Sequence, residues 1–271
     1  MKYLENAIKF IAKHFIIAIP LFISTAITAL IGGTVSGGFT NKLFEILPQM
    51  KGGVNYLSDP ASITRFFASA AAVTGAGFLG FILTLIVTPA TYGMVNKALN
   101  EDKSDLNEFV PQLKDNFVKY ILYWVGNIVV WVILGIAAFL IVLLLALISK
   151  IAPWLGIFFG VLIALAAIVV VVLIAINLVL WFPAMVIDNM DVIAALKRSY
   201  TLVKKNFWMI LGINLLVGIV ASLASLILGI LAGIPLLGPI ILSVIPTAST
   251  FIIIVFHMMY YKCENNQPSA T

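Results

Sequence analysis

The sequence predicts an all-α integral membrane protein with six transmembrane helices, and three observations carry that prediction. Of its residues, 62% are hydrophobic and only 10% charged, with a mean hydropathy of +1.14, outside the range of soluble domains. Charge is absent from five windows, 14–41, 66–96, 120–149, 151–187 and 206–261. The last window contains the turn-like Gly233-Ile234-Pro235-Leu236-Leu237-Gly238-Pro239. About 20 helical residues cross a hydrocarbon core of about 30 Å, so that window folds into a hairpin of two spans.

The six spans are expected at 15–35, 67–95, 118–148, 154–187, 207–232 and 240–261. Lys2, Lys9 and Lys13 before the first span imitate a signal peptide. The run is too long for one, has no small-x-small cleavage site, and follows a segment type that recurs later, so it is expected to be retained. The second span follows Arg65, and the third lies between Lys119 and Lys150. The fourth starts at Trp154 and carries Trp181 and Phe182 near its end; the fifth starts beside Trp208 and the sixth closes on Tyr260 and Tyr261. These aromatics are expected as interfacial anchors. Gly156 and Gly160, Gly229 and Gly233, and Gly75, Gly77 and Gly80 have the spacing of close helix contacts.

With six spans, twelve of the sixteen Lys and Arg fall on one side: Lys2, Lys9, Lys13, Lys97, Lys103, Lys114, Lys119, Lys197, Arg198, Lys204, Lys205 and Lys262. Lys42, Lys51, Arg65 and Lys150 fall on the other. Positive loops stay cytoplasmic, which places the protein in the cell membrane with both termini cytoplasmic. The net charge of +5 and pI near 9.3 therefore reflect topology and do not call for nucleic acid.

Before each odd-numbered span an amphipathic segment ends at a Phe. Its apolar positions are Leu4, Ala7, Ile8 and Ile11 before Phe15; Leu106, Phe109, Val110 and Leu113 before Phe117; and Leu196, Ser199, Tyr200 and Val203 before Phe207. Those offsets mark one helix face, and three cytoplasmic interfacial amphipathic helices are expected. A polar residue precedes each Phe, His14, Asn116 or Asn206. Asp105 with Glu108 reads as a capping box and Asp191 as an N-cap, while Pro111 is expected to kink or split the second segment. Each even-numbered span contains a proline, Pro89, Pro183 or Pro246, which frees a backbone carbonyl. The chain thus reads as one membrane domain, 1–262, of three parallel two-helix repeats at 1–99, 100–189 and 190–262, followed by a polar tail, 263–271.

Chemistry is sparse. The spans hold no Asp, Glu, Lys or Arg beyond Lys119 at the edge of the third, His14 and His257 are the two histidines, and Cys263 is the single cysteine. No hydrolase, metal or cofactor motif is present, so a non-enzymatic protein without metal or cofactor is expected. Asn127, Asn177 and Asn214 need hydrogen-bond partners in hydrocarbon and are expected to face the bundle interior, as helix-to-helix ties more often than as substrate ligands. His257 reads as an interior histidine rather than a proton relay. Lys197, Arg198, Lys204 and Lys205 form the densest basic face, suited both to topology and to anionic lipid.

Pro183-Ala184, Asp188, Ala195-Leu196-Lys197-Arg198-Ser199-Tyr200 and Leu202-Val203-Lys204-Lys205-Asn206-Phe207-Trp208 resemble a stretch of uncharacterised prokaryotic multi-pass proteins. That stretch is similar to one in the membrane domain attached to some glycerophosphodiester phosphodiesterases. The resemblance implies a membrane domain and supplies no catalytic residues. The expected role is to organise lipids, or a membrane or cytoplasmic protein partner, at the cytoplasmic face. The alternative is a transporter or permease for an apolar or lipid-like substrate, its path lined by the proline-bearing spans.

Overall fold

The computed structural model describes residues 2–32, 60–234 and 237–265. The end of the first expected span, Lys42 and Lys51, Pro235 and Leu236 of the expected turn, and the tail after Asn265 lie outside them. Among the described residues all regular structure is helical. In order, α1 is Lys2–Lys13, α2 is 19–32 after a short 3-10 turn Phe15–Ala18, α3 is Pro60–Glu101 and α4 is Phe109–Ile151. They are followed by α5 Pro153–Leu178, α6 Trp181–Ile187, α7 Val192–Lys205, α8 Phe207–Leu228 and α9 Leu237–Asn265. Six stretches are long and apolar enough to cross a membrane, Phe15–Gly32, Gly77–Glu101, Leu106–Lys150, Trp154–Ile187, Phe207–Leu231 and Leu237–Asn265. Each overlaps one of the six expected spans, although the second stretch is shifted from the expected 67–95 and the third begins at Leu106 instead of 118.

Prolines shape these helices by position. Pro111 does not kink α4, because it is the third residue of that helix, where the missing N–H has no intrahelical acceptor to serve. The break expected at Asn116-Phe117 is absent, and α4 runs for 43 residues, about 65 Å of helix. Pro183 sits the same way in α6, just after the turn at Val179 and Leu180 that separates α5 from α6. Pro89 and Pro246 lie inside α3 and α9. Around Pro246, Ser243 Oγ donates to the Ile240 carbonyl (2.6 Å) and Thr247 Oγ1 to that of Ser243 (2.7 Å). Asp102 and Asn189, with φ of 55° and 53°, supply the left-handed residue that stops α3 and α6.

The core is built on α6, where Trp181 through Val186 are all buried. Phe182 packs on Tyr92, Tyr120 and Tyr123 at centroid distances of 4.8, 4.9 and 5.4 Å. Trp181 meets Tyr123 at 5.4 Å. Trp181, Phe182, Tyr260 and Tyr261 are thus interior residues, not the expected interfacial anchors; Trp154 and Trp208 remain exposed. The glycines that permit close approach are only in part those the spacing suggests. Gly75, Gly77, Gly160 and Gly229 face open space, Gly80 abuts Thr28, and Gly156 abuts Ser149 across the α4–α5 turn. At Gly126 on α4, a Cβ would stand 2.5 Å from the Trp181 ring.

A ring packed on several aromatics has nowhere to move. Gly126→Ala should therefore destabilise the protein by about 1–3 kcal/mol, read as an earlier thermal transition in detergent. Gly160→Ala should be neutral or slightly stabilising, since its helix position is open and alanine is the better helix former.

Candidate functional site

One end of the bundle gathers the start of α1, the ends of α3 and α9, the start of α4 and the α6–α7 corner, and side chains tie them together. Tyr3 Oη donates to Glu264 (3.1 Å), Lys97 pairs with Glu108 (2.8 Å), and Lys262 Nζ donates to the Leu99 carbonyl (2.8 Å) and Asn100 (2.5 Å). Lys13 pairs with Asp102. His14, 2% exposed, places Nε2 3.2 Å from the same carboxylate. The hydrogen bond from Lys13, aided by that from His14, holds the Asp102 carboxyl below its ordinary value of 3.8.

Helix starts here are made differently from the sequence pattern. Asp105 accepts from the Asn107 amide (2.9 Å) and heads the 3-10 turn Leu106–Glu108, while Glu108 turns to Lys97 instead of closing a capping box. Asp191 occupies the N-cap of α7 without a side-chain cap bond. His14 and Asn206 break the chain with nearly the same backbone, φ −118°, ψ 31° and φ −132°, ψ 37°. Asn206 Nδ2 donates to Tyr260 Oη (3.0 Å), whose hydroxyl donates to the Leu202 carbonyl (3.3 Å). Asn116 stays in a continuous helix and bonds the Gln112 carbonyl (2.9 Å).

The α6–α7 corner is clamped to its neighbours. Asp188 accepts from Tyr261 Oη (2.5 Å) and Asn265 Nδ2 (3.0 Å), and Arg198 donates to Asn265 Oδ1. Ser199 Oγ donates to the Asn177 carbonyl (2.6 Å), and Trp181 Nε1 to the Val192 carbonyl (2.8 Å). α7 buries Ala195, Ser199, Leu202 and Val203; the expected apolar position Tyr200 is 54% exposed, as Ile8 on α1 is at 53%.

Of the four basic residues singled out, the structure separates one. Arg198 is half-buried and held by Asn265, whereas Lys197, Lys204 and Lys205 are exposed. Those three take part in no ion pair among the described residues. Trp208, 80% exposed, stands just beyond Lys205. Among the intramembrane amides, Asn127 and Asn177 bond carbonyls of their own helices, Tyr123 (3.1 Å) and Leu173 (2.7 Å). Asn214 alone of the three ties two helices, with His257 Nε2 at 3.2 Å. A tie that the sequence reading missed joins Thr25 on α2 to Thr247 on α9 (2.5 Å); threonine hydroxyls are too common in apolar helices to flag it. Among the described residues no three His, Cys, Asp or Glu gather.

A model for a domain of unknown function, DUF7847, matches residues 17–263. The chain belongs to this family. No curated protein and no solved structure matches it. The DUF7847 match establishes no link to the phosphodiesterase-associated membrane domains that Pro183–Trp208 resembles.

Two measurements probe this framework of the DUF7847 chain. Asp188→Ala should cost about 2–3 kcal/mol and Tyr261→Phe about 1–2 kcal/mol, with the double variant costing less than the sum; equal additivity in unfolding titrations would mean that the two groups do not act together. Acidification should free α1. Asp102 has a depressed value, so its contribution is present above 3.8 and is lost as pH falls through the lower folded value. Proteolysis of α1 should rise in that window and not in Asp102→Asn, whose α1 is already loosened at neutral pH.

Proposed function

We propose that this protein is a non-enzymatic organiser of anionic lipid at the cytoplasmic membrane surface, with both termini cytoplasmic and α1 and α7 lying in the interface. The observation that carries the reading is the division of labour on α7. Arg198 and Ser199 fasten the helix to the bundle, leaving Lys197, Lys204 and Lys205 exposed beside Trp208. Exposed lysines without an acidic partner at a headgroup boundary attract anionic lipid by on the order of 1 kcal/mol each, and tryptophan favours the same boundary. Support for a related arrangement at the N-terminus comes from His14 and Asn206, which turn α1 and α7 into their spans through the same backbone geometry.

The test substitutes Lys197, Lys204 and Lys205 by Gln and leaves Arg198 in place, so that framework and surface are not confused. In bilayers of phosphatidylglycerol and phosphatidylcholine, spin-labelled phosphatidylglycerol should be motionally restricted by the native protein in preference to phosphatidylcholine. In the variant that preference should fall to near parity, and high salt should do the same to the native protein. An unchanged preference in a folded variant sinks the reading. Transbilayer movement of phospholipid, if proteoliposomes showed it, would put the permease alternative in its place.

A further inference from the structure

Between α1, α8 and α9 lies an apolar groove of about 330 Å³, walled by Leu4 and Ile8, by Leu216 and Ala224, and by Val244 and Ile252. We infer that this groove seats one acyl chain of an anionic phospholipid whose headgroup lies at Lys204 and Lys205. The inference rests on the lipid-organising reading and adds a discrete site to it.

Three features of the groove favour that occupant. Its volume falls in the range of ligand sites, and its walls are apolar apart from the Ser249 hydroxyl, which already donates to the Pro246 carbonyl (3.1 Å). An extended protein segment would bring peptide groups that such walls could not satisfy, whereas a hydrocarbon chain brings none. Its position suits a tail and not a headgroup: from Leu216 to Ala224, and from Ile252 to Val244, it follows about 12 Å of helix in the middle of α8 and α9. Its upper wall is α1, which Tyr3 and Lys13 fix across the basic end of the bundle, so the groove lies directly beneath that end.

Charge selects among lipids. On α1, Lys9 is engaged by Glu5 (2.7 Å) and Lys13 by Asp102. The wall formed by α8 leads back through Asn206 to Lys204 and Lys205, exposed at the end of α7. An anionic head is favoured there over a zwitterionic one, and small side chains at Ala221 and Ala248 leave the space that the chain fills.

The test uses the full chain, exchanged from bilayers of equal phosphatidylglycerol and phosphatidylcholine into neutral detergent, with retained lipid weighed on the intact complex by mass spectrometry. One phosphatidylglycerol per chain is expected. Ala248→Phe, or Ala221→Phe on the facing wall, should lower retention of either lipid about tenfold by displacing a few buried methylenes. Lys204→Gln with Lys205→Gln should keep a bound lipid but lose the preference for phosphatidylglycerol. Folding of each variant is checked by its thermal transition, and two filling positions guard against one that fails. If neither folded filling variant changes retention while the lysine variant lowers the preference, the groove is overturned and the surface reading survives. If no variant changes anything, both fall. A second copy of the chain retained in place of lipid also overturns the groove assignment.

Discussion

In hydrocarbon a peptide group has no water to turn to, so each departure from helical geometry must be bonded by the chain itself. At the basic end of this bundle the departures are bonded from other elements. Where α5 gives way to α6, the carbonyl of Asn177 receives Ser199 Oγ from α7. Where α6 gives way to α7, Asp188 receives Tyr261 and Asn265 from α9, and the Val192 carbonyl receives the Trp181 indole. Where α7 gives way to α8, Asn206 is tied to Tyr260. Each break is therefore also a junction between helices distant in sequence, and the irregular backbone fixes how α5, α6, α7 and α9 sit against one another.

That constraint sorts the polar residues by task. Those that hold the corner point inward and are engaged, and Arg198 belongs with them although its charge groups it with the lysines. Those left outside, Lys197, Lys204 and Lys205, are exposed and form no ion pair among the described residues. A basic residue that contributes no packing and no ion pair is free to meet something outside the chain, and its position is set by neighbours that do contribute. Precision at the surface is in this sense a product of the buried network beneath it.

The spans were legible because hydrocarbon imposes a length and a composition that a single chain displays without knowledge of its neighbours. What the chain could not display were properties that depend on which faces meet. Tyr260 and Tyr261 end a span, as interfacial anchors do, yet they are buried because α1, α6 and α7 close over them. Pro111 has the composition of a breaker and the position of a helix starter. Gly126 carries no motif, and its importance comes from Trp181 on another helix. Among the site residues, the exposed lysines were legible by density alone, whereas the detachment of Arg198 required Asn265, 67 positions away.

The same reasoning explains why α1 differs from α7 despite their shared junction geometry. α7 is bonded along its length to α5, α6 and α9, through backbone carbonyls that cannot titrate. α1 is fastened mainly at its two ends, through Tyr3 with Glu264 and through Lys13 and His14 with Asp102. Ion pairs at an exposed surface are weak and screened by salt, so the ties at the end of α1 respond to salt and acid, while its middle stays packed on the core through Ala7. Salt or acid would therefore act on the upper wall of the groove before it reached the bonds that hold α7.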